Sequence, residues 1–240
     1  MAKKILAIIP AYNEAKNIGK VVRELQSSGL DIVPLVVDDG SADDTAEQAR
    51  MAGAAVVSLP FNLGIGGAVQ TGYRWADENG YEAAVQIDGD GQHDPAFLAK
   101  LVRPISEGAA DMSVGSRFCE PADGFRSSRL RRIGIRFFVA LIRLLTGLNC
   151  SDPTSGFRAV NRKLIRVFAA HYPQDFPEPE AIVIARRLGA RITEVPVVMR
   201  PRSSGKSSIG KLKSPYYMIK VTGAIMLDMF KDRKVFGPWE

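Results

Sequence analysis

Two carboxylates separated by one glycine, Asp88-Gly89-Asp90, followed by Gly91-Gln92, are the sharpest chemical signal in the chain. Oxygen donors at alternate positions of a turn suit a hard divalent cation, and glycine lets a phosphate or a second backbone come close. Mg²⁺ takes one or two carboxylates and fills its shell with water and phosphate oxygens. Asp88, Asp90 and Gln92 are therefore candidate ligands for Mg²⁺ or Mn²⁺ held beside a diphosphate. Such an ion would neutralise charge on a departing nucleoside diphosphate. A solvated acidic turn carries the same letters, so the surroundings must decide.

Three further polar clusters precede that turn: Pro10-Ala11-Tyr12-Asn13-Glu14, Asp38-Asp39-Gly40-Ser41 and Asn62-Leu63-Gly64-Ile65-Gly66-Gly67. Asp38 and Asp39 can accept hydrogen bonds from a base or ribose, and Asp39 can equally shape the turn at Gly40. Tyr12 can stack on a base or pack. Glu14 can meet a ligand or begin a helix favourably through the macrodipole. The glycines after Asn62 invite a dinucleotide-fold reading. That fingerprint needs its glycines directly after the first strand, where this chain has Pro10–Glu14.

The elements that would position these clusters alternate. Buried-type strands are expected at Lys4–Ile9, Ile32–Val37, Ala54–Leu59 and Ala83–Ile87, and helices at Glu14–Gln26, Asp43–Ala52 and Gly66–Asn79. Ser41 and Asp44 look like a capping pair for the second helix. Alternation through short links predicts an α/β fold with a mostly parallel sheet covered on both faces, which binds ligands at the carboxyl ends of its strands. All four clusters fall there. The second half is less regular: a basic, apolar helix over 128–146, a loop Asp152–Arg158, a helix Glu180–Leu188, a strand Arg191–Val198, a basic loop Arg200–Lys213 and a last helix Ser214–Phe230.

The 240 residues fit one domain, read as 1–117 for the donor half, 118–213 for the acceptor half and 214–240 as an interface helix and tail. No uncharged apolar run approaches the ~20 residues that cross a bilayer, and the start does not read as a signal peptide. Cys119 and Cys150 lie in no metal or redox spacing, which with the missing leader gives a cytoplasmic expectation. A net charge of +6 attracts nucleic acid, anionic lipid or phosphorylated substrates alike, so its placement matters more. Acids crowd the first hundred residues, whereas 126–143 and 200–213 concentrate Arg and Lys.

Together these blocks, with Gly115-Ser116-Arg117, Asp152–Arg158, Glu180–Ala185, Glu194-Val195-Pro196 and the Arg202–Ser207 loop, resemble family 2 glycosyltransferases of the GT-A fold. Within that family the chain looks most like dolichyl- or polyprenyl-phosphate sugar synthases. The resemblance implies that Pro10, Tyr12, Glu14 and Asp38 line the pocket of a nucleotide-sugar donor, with Asp88 and Gly89 nearby; Asp39, Asn62 and Gly64, in the same loops, are further candidate donor contacts. It implies that Asp90 and Gln92 bind Mg²⁺ or Mn²⁺ with the donor diphosphate. Arg117 matches an arginine that contacts the phosphate of the acceptor, with Arg131 and Arg132 in the basic segment after it, and Arg202 one that reaches donor phosphates. Family members read Arg-x-x-Gly-x-Ser-Lys in that last loop; here Ser208 holds the lysine position and Lys206 lies just before it. Pro177-Glu178-Pro179-Glu180 is also a variant, from which Glu180 alone is carried over as catalytic.

A hydroxyl acceptor needs a general base, with Glu180 or Asp152 as candidates. A phosphate monoester, with a second pKa of about 6, is already ionised and needs steering cations instead. In-line attack on the anomeric carbon would invert its configuration. On a helical wheel Arg129, Arg132, Arg136 and Arg143 form one stripe beside Leu130, Ile133, Phe137, Leu141 and Leu144, a pattern suited to an anionic membrane surface or to a core helix with a solvated edge. The expected partners are a UDP- or GDP-hexose, polyprenyl phosphate, the inner face of the cell membrane and a separate integral membrane protein, with a homo-oligomer left open and nucleic acid excluded by the absence of interleaved basic and aromatic residues. The competing readings are transfer to a saccharide hydroxyl and a non-catalytic basic module that holds membrane or nucleic acid.

Overall fold

The structure is a computed structural model that describes residues 5–119, 129–175, 177–201 and 214–236. In chain order the first half runs β1 (Ile5–Ala11), α1 (Ile18–Gln26), β2 (Ile32–Asp38), α2 (Thr45–Met51), β3 (Ala55–Ser58), α3 (Gly64–Glu78), β4 (Ala83–Gln86), α4 (Leu98–Ser106) and β5 (Met112–Ser116). The second half adds α5 (Arg129–Thr146), β6 (Arg158–Asn161), α6 (Arg162–Ala170), α7 (Pro177–Arg187), β7 (Ile192–Pro196) and α8 (Ser214–Phe230). The strands form one seven-stranded sheet in the order β3-β2-β1-β4-β6-β5-β7. It is parallel except for β6, which runs antiparallel to β4 and β5. The expected α/β fold is present, with one antiparallel strand inside it.

Side-chain alternation explains why both faces are covered. In β1, Leu6 and Ile8 enter the core shared with Val69, Tyr73 and Phe168, whereas Ile5, Ala7, Ile9 and Ala11 enter the core shared with Ile18, Val22 and Leu101. Helix α1 buries Ile18, Val21, Val22 and Leu25, the i, i+3, i+4, i+7 stripe that a surface helix turns to a sheet. It begins at Ile18 instead of Glu14, because the Glu14 carbonyl accepts the N–H groups of Asn17 and Ile18 in a preceding turn. Helix α7 starts with Pro177 and Pro179, which the first turn tolerates because its N–H groups have no intrahelical acceptor.

Four elements were not anticipated: α4, β5, β6 and α6. The β6 side of the sheet is fastened by Asp111, whose carboxylate accepts from the Arg191 N–H at 2.8 Å and the Asn161 amide at 2.8 Å. Burial alone would raise its pKa, but the bonds from Arg191 and Asn161 outweigh that and lower it.

Candidate active site

The first two polar loops are laced to each other. The Asp39 N–H donates to the Ala11 carbonyl at 2.9 Å, Asn13 N–H to Ser41 Oγ at 2.9 Å, and Ala42 N–H to Asn13 Oδ1 at 2.8 Å. Glu14 N–H donates to Thr45 Oγ1 at 2.8 Å. Asn13 adopts φ 56°, a left-handed conformation that asparagine accepts more readily than most side chains. The expected Ser41–Asp44 capping pair does not form. Asp44 makes no side-chain cap, and Ser41 is spent on the Asn13 loop.

These contacts sort the two aspartates. Asp38 Oδ1 accepts from Ser41 N–H at 3.1 Å, and its other oxygen has no partner among the described residues. Asp39 is nearly sealed, and its carboxylate accepts from Leu63 N–H at 2.7 Å and Gly64 N–H at 3.0 Å. Burial pushes its pKa up despite those bonds. Asp39 therefore ties the third loop to the second at the start of α3, the structural side of the two roles its position allowed. Gly40 makes this closeness possible: φ is +71°, and a Cβ would meet the Asn62 nitrogen at 2.9 Å. Asn62 is exposed, and its Oδ1 accepts from Gly64 N–H at 3.1 Å. Gly66 packs on the carbonyls of Pro173 and Gln174, whereas a Cβ on Gly64 would meet nothing within 4 Å.

The Asp88–Gln92 turn meets these loops at the same edge. A Cβ on Gly89 would stand 3.2 Å from the Pro10 carbonyl and 3.4 Å from Ala11 Cβ, so the turn lies against the end of β1. Tyr12, just beyond, is half-exposed. The Asp88 side chain is 39% exposed whereas Asp90 is buried, with Oδ1 accepting from Gln92 N–H at 3.0 Å. Gln92 Nε2 donates to the Arg200 carbonyl at 3.4 Å, which leaves the amide oxygen as the atom able to accept or to coordinate. Asp88, Asp90 and Gln92 bring two carboxylates and one amide oxygen to this turn. Among the described residues no cluster of three or more His, Cys, Asp or Glu side chains could hold a metal alone. Two carboxylates suffice for an ion that completes its shell with phosphate oxygens and water, as Mg²⁺ does.

Arg117, at the end of β5, is clamped. Its Nε donates to Asp152 Oδ2 at 2.6 Å and a second guanidinium nitrogen to Oδ1 at 2.6 Å, with Thr154 Oγ1 at 3.0 Å. The side chains are 9% and 0% exposed. The remaining nitrogen faces Met199 Sδ at 4.0 Å. Glu194 of β7 holds the Asp152 loop in turn, accepting from the N–H groups of Ser151 and Asp152 at 2.8 and 3.0 Å.

The other expected residues divide. Glu180 does not join this group: its carboxyl bonds to Asp228 of α8, and its electrostatic neighbours are Asp228, Lys231 and Asp175. Burial first, then Asp228, pushes its pKa up to about 8. The Glu180 carboxyl thus has its hydrogen-bond partner on α8. Arg132 is exposed on α5; the side chain of Arg131, with Arg202 and Lys206, lies outside the described residues. His93, Glu194, Arg158 and Arg200 also belong to the site's frame, and the sequence alone assigns none of them a role. Arg200 pairs with Glu24 at 2.7 Å and Asp94 at 2.8 Å, pinning the chain just before the basic loop.

The sequence profile of "Glycosyl transferase family 2" matches residues 6–168. The UDP-N-acetylglucosamine–dolichyl-phosphate N-acetylglucosaminyltransferase of Methanococcus voltae is 33% identical over 214 residues, 81% of this chain and 85% of that protein. The undecaprenyl-phosphate mannosyltransferase of Micrococcus luteus is 31% identical over 215 residues, 86% of this chain and 87% of that one. Among solved structures, glucosyl-3-phosphoglycerate synthase from Mycobacterium tuberculosis, with Mn²⁺, UDP and glucosyl-3-phosphoglycerate bound, superposes with a TM-score of 0.73 at 24% identity, covering 95% of this chain and 80% of that one. That likeness concerns the fold.

Proposed function

This chain belongs to glycosyltransferase family 2, and from that membership we propose that it moves a hexose, with inversion, from a UDP- or GDP-sugar to polyprenyl phosphate at the cytoplasmic face of a membrane. The observation that carries the donor half is the meeting of the Asp88–Gln92 turn with the Tyr12 and Asp38 loops at one sheet edge. Tyr12 and the uncommitted Asp38 oxygen receive the nucleoside, with Pro10 and Glu14 framing them. Asp88, Asp90 and Gln92 hold Mg²⁺ or Mn²⁺, which when bound draws charge from the departing diphosphate.

The acceptor half rests on what the carboxylates are doing. A hydroxyl acceptor requires a base, yet Asp152 is committed to Arg117 and Glu180 faces α8. An ionised phosphate needs none. The Arg117 nitrogen beside Met199 supplies a fixed cation to orient it. The named activities of the two relatives, both toward lipid phosphates, support the same choice.

The membrane contact is read from α5 and α8. Arg132, Arg136 and Arg143 are exposed on α5 together with Ile133, Phe137 and Leu144, while Phe138 and Ile142 are in the core. Helix α8 exposes Ile219, Leu227 and Phe230. Cations beside exposed apolar side chains suit an anionic interface. No helix among the described residues is long and apolar enough to cross a membrane.

The test is nucleotide release from UDP- and GDP-hexoses with Mn²⁺, with and without polyprenyl phosphate. Release that depends on the lipid phosphate is expected. Turnover with a saccharide acceptor alone would replace this reading with the hydroxyl one. Asp90→Asn should nearly abolish turnover; full activity in that variant removes Asp90 from the site.

A further inference from the structure

The Gly156-Phe157-Arg158 segment has no role in the scheme above, yet each of its residues bears on Asp88. Gly156 lies directly against the carboxylate: a methyl at this position would stand 3.0 Å from Asp88 Oδ1 and 3.3 Å from Oδ2. Phe157 acts one step removed. Its ring stacks on His93 with centroids 4.8 Å apart and planes 14° from parallel. His93 Nδ1 accepts the Asp88 N–H at 3.0 Å, which places the imidazole proton of the neutral ring on Nε2, 3.6 Å from Asp88 Oδ2. His93 and Phe157 are both buried.

Arg158 fixes the segment from beneath. Its side chain is fully buried, and no carboxylate pairs with it among the described residues. Its guanidinium instead gathers carbonyls: Nε and a second nitrogen donate to Ser155 at 3.2 and 2.5 Å, and the remaining nitrogen donates to Glu178 in the first turn of α7 at 3.1 Å. A buried cation is costly unless its donors are satisfied, so this placement holds only while those carbonyls stay where they are. Arg158 also sits opposite Gln86, two residues before Asp88, in the β4–β6 ladder.

We propose that Gly156, Phe157 and Arg158 are positioning residues that set the Asp88 carboxylate for the donor's cation, Gly156 by contact, Phe157 through His93, and Arg158 by anchoring the loop. This rests on the donor reading above and deepens it. The loop also carries Asp152, the partner of Arg117, so one segment supports both the cation side and the acceptor side of the site.

The experiment measures Mn²⁺ affinity by electron paramagnetic resonance of the free ion, in the presence of UDP and separately of GDP. Nucleotide affinity is measured in parallel without metal. Gly156→Ala makes the Asp88 carboxylate, 3.0 Å from the added methyl, give way by a few tenths of an ångström, and Phe157→Leu removes the ring beneath His93. Each is expected to weaken Mn²⁺ binding about 10- to 100-fold, the usual effect of losing a group that orients a metal ligand. Nucleotide affinity without metal should stay at the parent value, because no hydrogen bond among the described residues links the Tyr12 and Asp38 loops to this segment. Arg158→Lys keeps the charge but cannot bridge both carbonyls, and should show the same split. Should the Phe157 or Arg158 variant fail to fold, Gly156→Ala, one added methyl group, decides alone. Mn²⁺ affinity unchanged in Gly156→Ala, or lost in step with metal-free nucleotide affinity, overturns the proposal and leaves the donor reading standing. A parent protein that binds neither Mn²⁺ nor nucleotide overturns both.

Discussion

Replacing Arg117 with alanine should cost stability as well as acceptor use, and the two can be separated. The Arg117–Asp152 pair is bidentate, at 2.6 Å on each arm, with side chains 9% and 0% exposed. Removing the guanidinium leaves the buried Asp152 carboxylate with the Thr154 hydroxyl at 3.2 Å and the Arg117 N–H at 3.2 Å. Stranding one charge of a buried pair costs about 3–5 kcal/mol. At about 2–4 °C per kcal/mol for a domain of this size, the melting temperature of Arg117→Ala should fall by about 6–20 °C. Adding Asp152→Asn removes the stranded charge, so the double variant should recover most of that loss. Thermal unfolding by circular dichroism of parent, both singles and the double measures the coupling directly. Activity at a temperature where all four are folded should show KM for polyprenyl phosphate rising more than KM for the donor. An Arg117→Ala protein within about 0.5 kcal/mol of the parent would refute the reasoning, because surface-type substitutions cost no more than that. A double variant no more stable than the single would refute it equally.

Three further outcomes follow from the same geometry. Glu180 has its pKa raised to about 8, so the packed state favours its protonated form, and the stability this gives is present at low pH and lost as pH rises from the ordinary carboxylate range toward about 8. Glu180→Gln can donate to Asp228 at every pH, so its gain in melting temperature over the parent should be larger near pH 8.5 than near pH 5, with a limiting slope of about 1.4 kcal/mol per pH unit; an equal difference at both would place Glu180 elsewhere. Gly40→Ala meets both a left-handed φ of +71° and the Asn62 nitrogen at 2.9 Å, and should lose at least about 1–2 kcal/mol in urea unfolding together with nucleotide affinity. Asp111→Ala leaves the Asn161 amide and the Arg191 N–H without their acceptor, a cost of about 1–3 kcal/mol, while nucleotide affinity measured by calorimetry should not change.

The donor edge was readable in the chain because its signals are local. Strands such as Ile5–Ala11 and Ile32–Asp38 are continuous apolar runs, α1 has a helical stripe, and the polar clusters stand where those runs stop. Alternation then places all of them at one sheet edge, whatever the details of packing. The acceptor side lacked such signals. Strand β6 is Arg-Ala-Val-Asn, with a charge at its buried start, and β5 is five residues of Met-Ser-Val-Gly-Ser; neither has a strand's usual composition. Their pairing is decided by ladder partners far away in the chain.

What the sequence by itself determined, then, was the set of polar loops that end the strands of one sheet edge, with the carboxylate pair of the Asp88–Gln92 turn among them. Only the tertiary structure decided which charged groups are already spent. Asp39 is taken by α3, Asp152 by Arg117 and Glu180 by α8, and Arg158 became a buried cation held by carbonyls. The physical reason is that a residue's type fixes what it can bond to, whereas its partner depends on which distant segment packs against it, and no local pattern records that.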